Sequence, residues 1–132
     1  MGARKREKAE QLKAEKMKVA IAKLRNCPIP ARKMRLVADL VRGMEVNKAL
    51  NVLQHNSKEA STRLATLLRS AIANWEAKNE DKDLESETLI VSMVKVDNAG
   101  MLKRIQAAPQ GRAHRVRKRS NHTTIIVDSL NS

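Results

Sequence analysis

The segment from Gly100 to Arg119 restricts the possible folds of this chain more than any other. Residues 99–120 contain seven Lys or Arg and no Asp or Glu. Their apolar residues do not recur with a helical period, and Pro109 and Gly111 interrupt the middle. The pattern predicts a long β-hairpin of two extended arms, each reaching roughly 30 Å beyond a sheet at the rise of a strand. Such arms have too few apolar residues to be stable alone, so we expect a partner to hold them.

Positive charge is concentrated towards both ends of the chain. Its 132 residues include 27 Lys and Arg against 14 Asp and Glu, a formal net charge of +13. Residues 1–25 contain nine basic and three acidic residues, whereas residues 49–98 contain six basic and eight acidic ones. An unmixed basic segment repels itself unless a polyanion neutralises it, which indicates nucleic acid or an anionic membrane surface. No apolar run is long enough to span a bilayer, and we expect no membrane partner.

The rest of the sequence predicts a small α+β body. Residues 18–25 alternate as in a strand, and residues 89–96 and 123–127 are rich in residues that favour strands. Three helical segments lie between the first two strands and begin near Pro30, Asn47 and Asn56. We therefore expect three helices packed on a small three-stranded antiparallel sheet, with a long protruding β-hairpin and a basic N-terminal tail.

The apolar spacing also predicts which helix faces are buried. In the third helix, Asn56 and Glu59 have the form of a capping box, and an apolar stripe of helical period runs to Trp75. In the first helix, Gly43 is suited to end the helix. The predicted apolar face of that first helix consists of Met34, Val37, Leu40 and Val41.

We expect a single globular domain with one appendage. Residues 1–16 form a charged extension without an apolar stripe, and we predict that it is disordered in the free protein. Residues 17–132 would form the globular domain, including an extended hairpin at about 97–122. The extension lacks the apolar core of a secretory signal, and the single Cys27 cannot form an internal disulfide. These features favour a cytoplasmic location.

Catalytic and metal chemistry have little support in the sequence. Ser120 and His122 would share one strand face, but no carboxylate lies nearby to complete a catalytic group. The three histidines and Cys27 lack the spacing of metal ligands, and the glycines form no phosphate-binding loop. We therefore predict a protein that is not an enzyme and that uses no cofactor and no metal.

Nucleic acid is then the favoured partner, contacted through phosphates and groove shape. The chain has no Phe or Tyr and only Trp75, which argues against a base-stacking surface. Arg32, Lys33 and Arg35 crowd the first turns of a helix, where cations oppose the macrodipole and a phosphate partner would offset them. RNA is favoured over DNA. DNA remains an alternative, either through a helix-turn-helix whose second helix carries only Lys48 or through a basic β-arm in the minor groove.

Several segments resemble one known family. Residues 34–43 (MRLVADLVRG) are similar to the first-helix signature of the bacterial large-subunit ribosomal protein twenty-two family. Residues 48–50 and 70–74 resemble its second and third helices, and the resemblance covers about residues 18–128 in unbroken order. Three further segments resemble the hairpin of that family: Lys103–Ile105, Gly111–Ala113 and Arg117–His122.

This resemblance implies an α+β fold and a place in the cytoplasmic large ribosomal subunit. The implied partners are large-subunit ribosomal RNA of the 23S type, whose domains the protein would bridge during assembly, and neighbouring ribosomal proteins. The hairpin tip would line the exit tunnel and meet the nascent peptide, with macrolide antibiotics bound nearby. The family commonly has an Arg near the position of Ala108, so this chain departs from the family in the charge of its tip.

Site residues follow from the charge pattern and the resemblance together. The tunnel-facing tip would consist of Ala107, Ala108, Pro109, Gln110, Gly111 and Arg112. RNA binding is assigned to the cations of the hairpin and of the first strand and helix, with one histidine: Lys18, Arg25, Arg32, Lys33, Arg35, Lys103, Arg104, Arg112, Arg115, Arg117, Lys118, Arg119 and His122.

Overall fold

The computed structural model describes residues 3–80 and 87–130, without the side chains of Lys16 and Lys18. The predicted α+β class with a three-stranded antiparallel sheet is confirmed, and the three expected body helices are preceded by a fourth. The elements are α1 (Ala3–Lys18), β1 (Ala20–Cys27), α2 (Ala31–Val41), α3 (Val46–His55), α4 (Glu59–Glu76), β2 (Leu89–Ala107) and β3 (Ala113–Ser129).

The sheet has the order β1-β3-β2, with β3 in the centre. β1 covers only the inner part of β3, up to the pairing of Cys27 with Asn121. β2 pairs with β3 along almost its whole length, from Leu89 opposite Ser129 to Ala107 opposite Ala113. Both register shifts of this pair place the extra residue on β2. β3 therefore alternates without interruption from its first residue to its last, and its odd-numbered residues share one face.

The helices bury their apolar stripes against this sheet. In α2 the buried residues include Met34, Val37 and Val41, as the spacing predicts. The expectation for Leu40 was wrong: it is 47% exposed, and Ala38 is buried in its place. A helix turns by 3.6 residues, so the buried face takes the pairs 34/38 and 37/41, and position 40 lies to one side. Gly43, at φ 75, follows the helix end and supports its role as a stop.

α4 supplies the centre of the core. Leu64 and Leu68 are buried in its middle, and Trp75 is buried near its end. The predicted capping box is wrong in detail. The helix begins at Glu59, and Asn56 Oδ1 accepts a hydrogen bond from the backbone N–H of Lys58 at 3.0 Å. Asn56 therefore shapes the turn before the helix instead of capping it.

Arg35 of α2 and Arg42, which directly follows the helix, lie along the outer edge of β2. Arg35 donates to the carbonyl of Val96 from Nε at 3.3 Å and from Nη2 at 3.1 Å. Arg42 donates from Nη2 to the carbonyl of Val94 at 3.1 Å. β2 is an edge strand, and unpaired carbonyls at such an edge would otherwise be open to another strand. Arg35 and Arg42 thus tie the helix to the sheet and cover part of this edge.

The N-terminal extension is helical from Ala3 to Lys18. Its alanines, glutamates, lysines and arginines have high helix propensity. The described side chains of α1 up to Met17 are exposed. Disorder of this segment in the free protein, and its separation from the globular domain, stay predictions.

Candidate nucleic-acid interface

The outer part of the β2–β3 pair is an arm with few buried side chains. Along β3, the odd-numbered residues from Asn121 to Ser129 are buried beneath the helices. The same alternation continues outward and presents Arg115, Arg117 and Arg119 to solvent. One strand face is therefore apolar or neutral in the body and cationic in the arm.

The register adds a fourth cation to this face. Residues directly opposite each other in an antiparallel pair share a face, and Lys103 lies opposite Arg117. Like charges in this position destabilise a strand pair. No acid lies between residues 99 and 120 to offset them. We call Lys103, Arg115, Arg117 and Arg119 the inner arm face.

The other face of the arm is less basic. Arg104 lies opposite Val116, and Lys118 lies opposite Leu102. All of these side chains are exposed except Val116, which is half-buried. Both faces can therefore meet phosphates, but the four cations of the inner arm face make it the stronger electrostatic surface.

The inner arm face runs into a groove of about 1010 Å³ at the root of the arm. This basal groove lies between the first turns of α2 and α4, and Arg119 belongs to both surfaces. The first turn of α2 has no acid and no side-chain cap, so its free N–H groups also favour an anion. Charged residues that line the basal groove are Arg32, Lys33, Arg35, Lys58, Glu59 and Arg119.

Lys58 is a candidate site residue that the sequence pattern did not indicate. It stands in a mixed polar segment, and only the packing of α4 beside α2 brings it to Arg32 and Lys33. Arg35 has a different role from its neighbours, because two of its nitrogens already bind the Val96 carbonyl. Arg35 therefore lines the groove as a residue fixed to the sheet, and it also contributes positive charge.

Arg25 and His122, both predicted site residues, lie away from the arm and from the basal groove. Arg25 and His122 line a separate groove of about 480 Å³ on the exposed face of the sheet, together with Lys23. His122 Nδ1 accepts a hydrogen bond from the backbone N–H of Asn26 at 3.0 Å. Asn26 has φ 53 at the irregular end of β1, so His122 supports a bulge there. The side chain of Lys18 lies outside the described residues.

Asn121 anchors the arm to the body. Its buried Nδ2 donates to the carbonyl of Ile29 at 2.6 Å, and its Oδ1 accepts from Thr123 Oγ1 at 2.9 Å. The amide thus joins β3 to the segment that leads into α2. Its partners satisfy a polar group that would otherwise be costly to bury.

The tip is a short turn between the two arms. The backbone N–H of Ala108 donates to the carbonyl of Arg112 at 2.9 Å. Gln110 and Gly111 both have positive φ, 65 and 69. Among these tip residues Arg112 is the one cation, so the predicted tunnel-facing segment is less basic than the arms.

Within residues 3–80 and 87–130, no three His, Cys, Asp or Glu side chains are grouped as metal ligands. No helix in the same part of the chain is both long and apolar enough to cross a membrane.

Comparison with known proteins gives a consistent result. The family model described as Ribosomal protein L22p/L17e matches residues 22–128, so α1 lies before the matched range. Three bacterial relatives carry the name large ribosomal subunit protein uL22. The protein of Christiangramia forsetii is 61% identical over 100% of this chain and 98% of its own. That of Porphyromonas gingivalis is 60% identical with the same coverage, and that of Flavobacterium johnsoniae is 57% identical over 100% and 96%.

Both comparisons extend over the body and the arm together. The match of the family model covers well over half of the chain, and the relatives align along all of it. The family consists of structural components of the ribosome, which agrees with the prediction that this chain is not an enzyme. The resemblance found in the helix and hairpin segments is therefore confirmed, and the chain belongs to the ribosomal protein L22p/L17e family.

Proposed function

We propose that this protein is a structural constituent of the large ribosomal subunit in the bacterial cytoplasm, where it binds ribosomal RNA. The observation that carries the proposal is the pairing of Lys103 with Arg117 on an arm that contains no acid. Two like charges directly opposite each other destabilise the free arm, whereas RNA phosphates on the same face would stabilise this arrangement. Membership of a ribosomal protein family supports ribosomal RNA as this polyanion.

The mechanism is electrostatic and geometric. Lys and Arg of the inner arm face and the basal groove would replace counterions around RNA phosphates, which makes binding depend on salt. Arg117 and Arg119 can each donate two parallel hydrogen bonds to phosphate oxygens, whereas Lys103 acts as a point charge. The fixed register of the arm holds these groups in a row, so one RNA strand can be followed from the arm into the groove.

The distribution of the cations supports contact with more than one RNA domain. The inner arm face lies on one side of the sheet, whereas the opposite arm face with Arg104 and Lys118 and the exposed sheet groove with Arg25 lie on the other side. A protein with basic surfaces on two sides can join RNA segments that are distant in sequence. This arrangement supports a role in bridging RNA domains during assembly, alongside neighbouring ribosomal proteins.

The tip would line the nascent-peptide exit tunnel. Residues 107–112 lie at the far end of the arm and carry only the charge of Arg112. A surface with little charge suits a wall past which peptides of any sequence must slide. Ala108 stands where the family commonly has an Arg, so this tip would hold a passing acidic peptide less strongly. Macrolide antibiotics bound nearby in the tunnel would meet the same tip.

The test of RNA binding removes two arginines of the inner arm face. Arg117→Ala with Arg119→Ala, in the full chain, should weaken binding to a large-subunit RNA fragment and lower the salt slope by up to about two. The control is Arg63→Ala with Arg69→Ala, which removes the same charge from exposed positions of α4. If both double variants lower the slope equally, the arm has no special role.

Two further measurements separate the alternatives. Duplex DNA of matched charge should compete less well than ribosomal RNA, and equal competition would favour the DNA alternative. In sedimentation of cell extract at moderate salt, the protein should migrate with large ribosomal subunits. Migration as a free protein would contradict the proposal.

A further inference from the structure

The N-terminal helix α1 has a charge distribution that the body does not explain. Its sixteen residues contain three acids, Glu7, Glu10 and Glu15. At about 100° per residue these three fall within one arc of about 140°, which also contains Arg4. The opposite arc, about 160° wide at the same spacing, carries cations and no acid. Its described cations are Lys5, Arg6, Lys8 and Lys13, which we call the basic face of α1.

The helix has unfavourable local electrostatics when free. Arg4, Lys5 and Arg6 occupy its first turn, which has no acid, so they oppose the macrodipole. Arg4 and Lys8 are like charges four residues apart, a destabilising spacing on a helix. Against these stands the exposed ion pair of Arg6 Nε with Glu10 Oε1 at 3.1 Å, and such exposed pairs contribute little. Without buried contacts, a helix of this length is marginal in water.

We propose that the basic face of α1 is a separate binding surface for the phosphate backbone of base-paired RNA, and that α1 becomes fully helical when it binds there. The cations from Lys5 to Lys13 extend along about 12 Å of the helix at its usual rise, a length suited to a row of phosphates. Phosphates near the first turn would also meet the positive end of the macrodipole. The acidic arc would then face away from the RNA.

Other kinds of partner fit α1 less well. The helix contains no aromatic residue on which an unpaired base could stack. Its large apolar residues are Leu12 and Met17, which point in directions about 140° apart at the helical spacing. An interfacial helix needs a continuous apolar face, so a membrane surface would gain little from α1.

The place where α1 joins the body separates it from the arm. Ala20 begins β1 opposite Val127, at the end of the sheet that is distant from the tip. Lys78 Nζ donates to the carbonyl of Val19 at 2.6 Å and so fixes the junction. Along β3 at the rise of a strand, Val127 is roughly 26 Å from Arg119, the nearest cation of the inner arm face, and roughly 45 Å from Ala113. We therefore expect the RNA held by α1 to be a different segment from the one held by the arm. This inference rests on the proposed function only in that the partner is RNA.

The test uses the full chain and an RNA duplex of about two helical turns. Lys5→Gln, Lys8→Gln and Lys13→Gln together should weaken binding about tenfold or more at low salt and lower the salt slope by two to three. A second variant exchanges charges between the arcs: Glu7→Lys, Lys8→Glu, Glu10→Lys and Lys13→Glu. It keeps the composition and the net charge of +13, and it should weaken binding as well. Unchanged binding of this variant would overturn the inference, because net charge alone would then suffice.

Hydrogen exchange gives an independent readout. Amides of α1 in the unaltered protein should become protected when the duplex is added, and those of the exchange variant should not. Equal protection by vesicles rich in phosphatidylserine would overturn the choice of RNA as partner. If the α1 variants bind normally while Arg117→Ala with Arg119→Ala binds weakly, this inference fails and the proposed function stands.

Discussion

The body and the arm use the same two strands under opposite conditions. In the body, β3 turns Ile125 and Val127 towards the helices, and both are about 1% exposed. In the arm, the same face carries Arg117 and Arg119 in open solvent. The pairing of β2 with β3 continues across the boundary, apart from a register shift between Asn98 and Met101, so the hydrogen bonds of this pair do not distinguish the two regions.

What distinguishes them is the origin of their stability. Burial of apolar surface contributes roughly 25 cal/mol per Å² to the body, and the exposed arm has almost none of this contribution. A two-stranded ribbon is marginal by itself in water. Substitutions in the two regions should therefore differ most in their effect on folding, and the predictions below run from the largest such effect to the smallest.

The largest effect is expected in the centre of the core. Leu64 of α4 is fully buried, and Leu64→Ala should lower the free energy of unfolding by about 2–5 kcal/mol because it leaves a cavity. Ile105 in the arm is 77% exposed, and Ile105→Ala should change it by less than about 0.5 kcal/mol. Urea denaturation of the full chain measures both. Similar losses would show that the arm shares in the stability of the core.

A smaller effect is expected where the two regions meet. Asn121→Ala leaves the Ile29 carbonyl and the Thr123 hydroxyl without their present partner, which should cost about 1–3 kcal/mol. Ser120→Ala, at the neighbouring position on the opposite face, is the control and should cost less than about 0.5 kcal/mol. Faster amide exchange along the arm should accompany the loss in Asn121→Ala alone. Equal results for both would mean that the amide does not anchor the arm.

The arginines of α2 should divide into a structural and an RNA-binding group. Arg35→Ala removes the two hydrogen bonds to the Val96 carbonyl and should lower the free energy of unfolding by about 0.5–1.5 kcal/mol. Arg32→Ala removes the same charge from an exposed position in the basal groove. It should leave the unfolding midpoint in place while weakening RNA binding. A stability loss in Arg32→Ala as large as that in Arg35→Ala would remove this division.

The smallest effect is expected at the tip. Gln110 has positive φ, a conformation that is less favourable for a residue with a side chain than for glycine. Gln110→Gly should therefore lower the conformational free energy of the turn by up to about 1 kcal/mol. The amide of Ala108, which donates to Arg112, should exchange more slowly as a result. Gly111→Ala, also at positive φ, is the opposite case and should accelerate the exchange. No difference between the two variants would mean that the turn carries no strain.

The periodic parts of the molecule were predictable from sequence, and the contacts between distant elements were not. The buried stripe of α4 and the stop at Gly43 follow from local spacing, and both are present. Leu40 was wrongly placed on the buried face because its spacing of three residues from Val37 also fits a helix face. The hydrogen bond from Asn26 to His122 joins residues 96 apart, and no local pattern indicates it.

The interface shows the same division. The cations of the arm are visible as an unmixed charge run, but their pairing across the arm depends on register. Two extra residues on β2 decide that Lys103 faces Arg117. Lys58 became part of the site only through the packing of α4 beside α2. Sequence therefore indicated which cations are candidates for RNA binding, and the fold shows which of them lie together.

The outward extension of the arm past β1 has a consequence for the protein before it is assembled. Beyond Cys27, neither strand of the arm pairs with a third strand from residues 3–80 or 87–130, so both edges of the arm expose hydrogen-bonding groups. Such edges readily recruit strands of other copies and lead to aggregation. Mutual repulsion of the acid-free arms opposes this association at ordinary ionic strength. At about 1 M salt the screening length falls to roughly 3 Å, and concentrated free protein should then self-associate through its arms.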